Sequence, residues 1–378
     1  MKITEIRTLI SWAGLRNWVV VKVLTDTDLY GWGEATLEGK EPTIEAAVHQ
    51  LGEQLIGQDP LAVEHHWQVL YRHGFWRGGV VLNSALAALD QALWDIRGKA
   101  WGVPVYRLLG GPTRNKLRLY THVGIYQPEL MVEDAQRDIA DGYTAMKTGA
   151  WAGDAAMPET ERIDAFAERI ALLRNTVGPK IDIMVDDHGR GRPSSAVRLM
   201  QALEPYNLFF LEEPTQPDDI EGLARIRAAG PKMDLATGER LYSKWDFRTL
   251  LEQRLVDVIQ PDLCHAGGIS ECKKIAAMAE AYYVKIAPHN PQGPVATAAA
   301  AHLAMAIPNF HILEYVRQEP YRDQALREAW VVENGHLYVP DRPGLGVELN
   351  EEVLLASPPH YHRGPRNAFM ADGSVFDV

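Results

Sequence analysis

Cysteine is scarce: Cys264 and Cys272 are the only two in a chain of 378 residues. Two thiols cannot build a disulfide framework, and they suit a reducing compartment. Positive charge is also short. Lys and Arg number 38 against 50 Asp and Glu, a formal net charge of −12. Nucleic acid and anionic membrane both reward basic surfaces, so neither is expected as a partner. A small anionic substrate stays open, because cations lining a pocket matter more than net charge. No apolar run approaches the roughly 18 residues of a membrane span. The opening "MKITEIRTLI" lacks the apolar stretch of a signal peptide. A soluble, cytoplasmic protein is expected. Core material is plentiful, with 46% apolar residues and 10 Trp, enough for two domains.

The chain opens with "KITEIRTLI", "WVVVKVLTDTD" and "YGWGEATL". These β-branched and aromatic runs, separated by turn residues, predict a small antiparallel meander. "SALAALDQALWDIRGKA" repeats Leu86, Leu89, Leu93 and Ile96 at helical spacing, with Ser84 as the expected N-cap. "LLGGPTRNK" marks a boundary near Arg114. Eight short apolar runs then alternate with helical patterns: "LRLYTH", "YTAMK", "IDIMVDDH", "LFFLEEP", "MDLATGE", "VDVIQPD", "YVKIAPH" and "FHILEY". Strand–helix alternation predicts an α/β fold with a parallel sheet, and eight units predict a closed TIM-type barrel. A doubly wound sheet would call for a Gly-rich first turn, which "GWGEA" and "CHAGGIS" match poorly. The pattern decays in a tail, "PGLGVELNEEVLLASPPHYHRGP", expected to pack back on the N-terminal segment; its "HYHRGPR" reads as surface.

Nearly every barrel run ends in a polar residue that would be costly in a core: His122, Lys147, Asp186 with His188, Glu212 with Glu213, Glu239, Asp262, His289 and Glu314. From Asp186 onward the intervals are about 23 to 27 residues, one βα unit each. One such residue alone is ordinarily a cap or a salt-bridge partner. The whole set falls on the barrel face where active sites lie. Three carboxylates from consecutive strands, Asp186, Glu212 and Glu239, would repel without a cation. An all-oxygen set with open positions suits Mg²⁺, whereas zinc would favour His and Cys. Strand alternation is expected to put Asp186 and His188 on one face and Asp187 on the other. Asp262 is placed to accept from one nitrogen of His289 and so raise the basicity of the other. Lys147 and Glu314 would border a developing anion.

The motifs "DDHGR", "FLEEP", "TGER", "QPDLCHAGGISEC", "APHNPQGP" and "ILEY", with "LIGQDP", "RGG" and "DQALWDIRGK" upstream, resemble the enolase superfamily. Within its mandelate racemase-like group, the chain is most similar to the acid-sugar dehydratases. The resemblance implies a modified (β/α)8 barrel with an α+β capping domain. Residues 1–115 would form the cap, 116–325 the barrel and 326–378 a segment packing back on the cap. It implies Mg²⁺ on Asp186, Glu212 and Glu239, and a substrate whose carboxylate binds the metal. His289, paired with Asp262, would remove the proton alpha to that carboxylate. Lys147 and Glu314 would stabilise the enediolate, and His188 would protonate the departing 3-hydroxyl. Substrate contacts are implied at Lys147, His188, Glu239, His289, Glu314 and Arg16. The capping loops that set specificity would be "SWAGLRNW" and "YRHGFWRGG", with Trp12, Arg72 and Trp76 as further candidates. Racemases of the group carry a second lysine two residues beyond the first. Here Gly149 follows Lys147, which disfavours two-base chemistry and leaves His188 to favour dehydration.

The expected function is therefore Mg²⁺-dependent dehydration of an aldonic acid, with D-galactonate as the leading substrate, to a 2-keto-3-deoxy acid. A homo-oligomer is expected from the same family. The competing readings are a cycloisomerase or epimerase using the same metal and His289, and a catalytically silent scaffold.

Overall fold

The computed structural model describes residues 1–124, 127–150, 157–361 and 373–375. The end of "HYHRGPR", from His362, lies outside them.

The chain begins with β1 (Ile3–Trp12), β2 (Asn17–Thr25) and β3 (Tyr30–Glu34), followed by α1 (Glu41–Gly52), α2 (Val63–Arg72), α3 (Val80–Trp101) and α4 (Val105–Leu108). The three strands form the expected antiparallel meander, in the order β1-β2-β3. Its inner face (Val19, Val21, Val23) packs on Leu86, Leu89, Leu93 and Ile96 of α3. Gly31 and Gly33 let strand and helix approach, since a Cβ at Gly33 would lie 1.9 Å from the carbonyl oxygen of Ala88. Ser84 is not the N-cap. The helix begins a turn earlier, after Gly79, and the Ser84 hydroxyl donates back to the carbonyl of Val80 at 2.6 Å. In this added turn Asn83 donates to the barrel carbonyl of Tyr242 at 2.6 Å, a contact that local sequence does not announce.

The barrel follows: β4 (Leu117–His122), α5 (Met131–Ala140), β5 (Ala145–Gly149), α6 (Glu159–Val177), β6 (Asp182–Asp186), α7 (Pro193–Leu203), β7 (Phe210–Glu212), α8 (Ile220–Ala228), β8 (Asp234–Thr237), α9 (Lys244–Glu252), β9 (Val258–Ile259), α10 (Gly268–Ala281), β10 (Lys285–Ile286), α11 (Pro294–Ala306) and β11 (Leu313–Glu314). All eight apolar runs contain a strand. They pair in parallel from β4 to β10; β11 pairs with β4, and an Ile286–Phe310 bridge joins the last gap. After β11 the pattern changes to α12 (Tyr321–Ala325), a hairpin of β12 (Val331–Glu333) and β13 (His336–Tyr338), and α13 (Glu351–Leu355). β13 pairs antiparallel with β4. Farther on, Glu351 accepts from Lys22 at 2.6 Å, and the backbone of His360 bonds both ends of the Asn17 amide. The fold is a modified TIM barrel with an N-terminal capping domain.

Capping domain and barrel are tied by buried polar contacts. The fully buried Glu34 accepts from the backbone N–H groups of Gly293 (2.7 Å) and Ala296 (2.9 Å), at the N-terminus of α11. Asp90 of α3 likewise accepts from the N–H and hydroxyl of Ser270 on α10. A carboxylate on free helix N–H groups satisfies donors that would otherwise be stranded.

Candidate active site

Eight side chains fill the barrel interior in one cluster: Tyr120, Ala145, Met184, Phe210, Ala236, Val258, Ala287 and Ile312. Each belongs to a different run. Side chains alternate along a strand, so the residue two farther on faces inward again, nearer the strand's C-terminal end. Those residues are His122, Lys147, Asp186, Glu212, Gly238, Gln260, His289 and Glu314. The polar ring read from the sequence is thus the next layer above an apolar floor. Strand β9 is one exception, with Gln260 in the layer and the Asp262 read from the sequence two residues farther on, and strand β8 is the other. Gly238 takes φ +134°, which L side chains rarely adopt, and the carboxylate at this strand comes from Glu239.

Ligand atoms of Asp186, Glu212 and Glu239 lie within 4.8 Å of one another. Asp186 and Glu212 are buried, and Glu239 Oε2 is buried with no hydrogen-bond partner. Burial, with the Asp186 charge beside it, pushes the Glu212 carboxyl up; burial also raises Glu239. Three mutually repelling carboxylates with an unsatisfied oxygen fit a hard cation. Lys147 fills the centre, its Nζ 3.0 Å from both oxygens of Glu212, 2.9 Å from Glu314 and 3.2 Å from Asp186. Burial works against its charge, but Glu212 and Glu314 hold its pKa well above the usual lysine value.

His188 and Asp186 do meet, with Nε2 3.0 Å from Oδ2. Continued alternation is not the cause. The strand ends at Asp186, and His188 takes a left-handed φ of 51° in a turn whose N–H donates to Asp186 Oδ1 at 2.9 Å. The Asp186 charge raises the His188 pKa to about 9 against the pull of burial. Asp187 is buried elsewhere and accepts from the N–H of Gly191. Glu213 pairs with Arg240 (2.9 and 2.7 Å), whose guanidinium also donates to the carbonyl of His188 at 3.1 Å.

Across the cavity, His289 Nδ1 lies 2.7 Å from Asp262 Oδ2, and its Nε2 is 3.6 Å from Glu239. Burial opposes the charged imidazole, but Glu239 and Asp262 raise its pKa to about 10. Glu314 is saturated: Oε1 faces His122 Nε2 (2.6 Å) and Lys147, and Oε2 accepts from the N–H of Asn290 (2.7 Å). Burial would raise its carboxyl, yet Lys147 and His122 hold it well below the usual range.

One cavity of about 660 Å³ is lined by His122, Lys147, Asp186, His188, Glu239, His289 and Glu314, together with Arg16, Glu38 and Gln292. Arg16 reaches it from the capping domain, 3.2 Å from Glu38. Of the other capping candidates, Trp12 stacks on His360 at 4.4 Å, Arg72 donates to Gln68 on its own helix, and Trp76 is 84% exposed. None of the three lines the cavity. Arg190 does, whereas Arg192 lies in solvent 3.6 Å from Glu159. Sequence reasoning gave no role to Gln292, His265, Arg240 or Glu38. The only signal for Gln292, His265 and Arg240 was membership of "APHNPQGP", "QPDLCHAGGISEC" and "TGER", and Glu38 lay in no quoted motif.

Residues 6–110 match the family described as mandelate racemase / muconate lactonizing enzyme, N-terminal domain, and residues 130–353 match that described as enolase C-terminal domain-like. A D-galactonate dehydratase of Variovorax paradoxus is 41% identical, covering 99% of both chains. Another, of Pectobacterium atrosepticum, is 42% identical over 94% of each. Among solved structures, a putative galactarate dehydratase from Agrobacterium radiobacter, bound to Na and L-malate, superposes with TM-score 0.92 at 35% identity over the full length of both chains. The 3,6-anhydro-D-galactonate cycloisomerase of Zobellia galactanivorans gives 0.87 at 33%, covering 94% of this chain and 99% of its own.

Proposed function

The chain belongs to the mandelate racemase-like group of the enolase superfamily, and on that premise we propose that it dehydrates an acid sugar, D-galactonate first, to a 2-keto-3-deoxy acid. The observation that carries the reading is two imidazoles on one cavity with unlike partners. His188 is tied to a carboxylate of the acidic triad, and His289 to Asp262. Names of relatives support the substrate class, as does a neighbour that binds L-malate.

Asp186, Glu212 and Glu239 are the proposed holders of Mg²⁺, which when bound supplies fixed positive charge to a site where anionic charge develops. Asp262 holds His289 Nδ1–H, leaving Nε2 toward the cavity as the base that takes the proton alpha to the carboxylate. Electrons released there form an enediolate, and the Lys147 ammonium is the donor beside it, with the Glu314 carboxylate holding that ammonium in place. His188 gives its proton to the 3-hydroxyl as the C–O bond breaks, so water leaves and the enol product becomes the 2-keto acid. Arg16 is proposed to meet the polyol end. Gly149 leaves no second lysine on β5 for a base on the opposite face.

The same reading takes residues 1–115 as the cap, 116–325 as the barrel and 326–378 as the returning segment. It also carries a homo-oligomer with no nucleic-acid or membrane partner. Two buried free thiols support a cytoplasmic location. The test is a screen of acid sugars with Mg²⁺, read as 2-keto acid formation. Product from D-galactonate that stops on chelation is expected. No product from any acid sugar would overturn the proposal. Cycloisomerisation is the second reading, favoured by the Zobellia neighbour; isomeric product without loss of water would establish it.

A further inference from the structure

Beneath the proposed base lies a hydrogen-bond chain whose every donor and acceptor can be assigned. Ser84 donates its only hydroxyl proton to the carbonyl of Val80 (2.6 Å), so at 2.8 Å it must accept from His265 Nδ1–H. Burial holds His265 below its ordinary pKa. The ring is then neutral, and its Nε2 is an acceptor. The donor facing that nitrogen is Gln292 Nε2, at 3.3 Å. The same amide nitrogen has a second proton, and Asp262 Oδ2 lies 3.3 Å away. Asp262 Oδ2 is also the oxygen that takes His289 Nδ1–H.

The Gln292 amide has one satisfactory orientation. Its Oε1 faces Arg16 Nη1 in a long hydrogen bond of 3.5 Å. Turned over, it would put oxygen against the Asp262 carboxylate and N–H groups against a guanidinium. The backbone on either side is fixed as well: the carbonyl of Gln292 accepts from Arg322 at 3.3 Å, and the N–H of Gly293 donates to Glu34. Gln292 is only 3% exposed, so its amide is held by the protein rather than by solvent. Arg16, Ser84 and Glu34 all come from the capping domain, while Asp262 and His289 belong to the barrel.

We propose that Gln292 is a positioning residue for the proton-abstracting pair, its amide set by Arg16 and His265 so that Asp262 is held in the orientation that directs His289 into the cavity. The inference rests on the dehydratase reading, with His289 as base. It gives the capping domain a part in base alignment in addition to substrate contact. Asp262 Oδ1 is held by the N–H of Cys264 at 2.5 Å, so Gln292 acts on Oδ2, the oxygen that takes His289, and a buried carboxylate oxygen that loses a donor is left undersatisfied.

The experiment compares wild type with Gln292→Leu, which keeps the bulk and removes both N–H groups, and with Gln292→Glu, which keeps the shape and sets an acceptor beside Asp262. Steady-state turnover of an acid sugar and exchange of its alpha proton with deuterated solvent are followed, with melting temperature as a check on folding. A fall in kcat of about tenfold is expected for each variant, with alpha-proton exchange falling in parallel and KM within about threefold of wild type. Should Leu fail to fold, the isosteric Glu variant carries the test. A rise in KM at unchanged kcat would make Gln292 a substrate contact and overturn the proposal, as would unchanged kinetics. An inactive wild type would overturn the function itself, and this inference with it.

Discussion

One carboxylate holds His188 twice: Asp186 Oδ2 lies 3.0 Å from its imidazole Nε2, and Oδ1 accepts its backbone N–H at 2.9 Å. The proposed acid therefore cannot drift from the proposed metal ligand. Replacing His188 with Asn should lower dehydration by about 10²- to 10⁴-fold, the usual worth of a positioned acid. Alpha-proton exchange should persist, because His289 and Asp262 are untouched. Loss of exchange to the same degree would show that His188 acts before the C–O bond breaks.

Metal removal should abolish turnover, and Mg²⁺ should restore it. Glu239→Gln keeps the size of the side chain but removes one of three anionic ligands. Calorimetric titration should show Mg²⁺ affinity reduced by more than about tenfold. Undiminished binding would place the cation elsewhere.

Among the described residues, Lys147 is the one cation 3.2 Å or closer to Asp186, Glu212 and Glu314 together. Lys147→Met takes the ammonium from Glu212 and leaves Asp186 and Glu314 to their histidines, and breaking such a buried set costs about 3–5 kcal/mol. Saturating Mg²⁺ should recover part of the lost melting temperature, more than it adds to wild type. Equal gains in both proteins would contradict this. Turnover of the variant should stay lost either way.

His302 on α11 gives a pH dependence remote from the chemistry. It is fully buried, accepts the N–H of Tyr106 at Nδ1 (3.0 Å) and donates from Nε2 to the carbonyl of Leu345 (3.0 Å). The Tyr106 donor demands an unprotonated Nδ1, and burial lowers the pKa to about 4 against the pull of the Leu345 carbonyl. The unfolded chain, near 6.5, takes the proton first. This contribution is complete above pH 6.5 and is lost as pH falls toward 4, about 3 kcal/mol in all. His302→Asn should flatten that part of a plot of melting temperature against pH between 7 and 4. Parallel curves for the two proteins would refute the assignment.

Much of the site was legible because strand alternation is a local rule. Once Tyr120, Met184 and Phe210 were inward, His122, Asp186 and Glu212 had to follow two residues later. Other parts depended on backbone irregularities that periodicity does not encode. Glu239 replaces Gly238 through an unusual φ, and His188 reaches Asp186 by a left-handed turn. The fold was similarly legible in its repeated apolar runs, though β9, β10 and β11 retain only two paired residues each. Ser84 misled for a physical reason: a hydroxyl can bond back to a helix carbonyl as readily as it can cap. Gln292 and Arg16, 276 residues apart, meet only because two domains close on each other, and no spacing rule announces that.

Glu34 bears on how a substrate enters. Its carboxylate belongs to the capping sheet, but the N–H groups it serves belong to α11. Swinging the cap away as a rigid body would strand a buried anion and two helix donors at once. Substrate entry should therefore leave these contacts intact, and cap and barrel are expected to separate only when the whole chain melts.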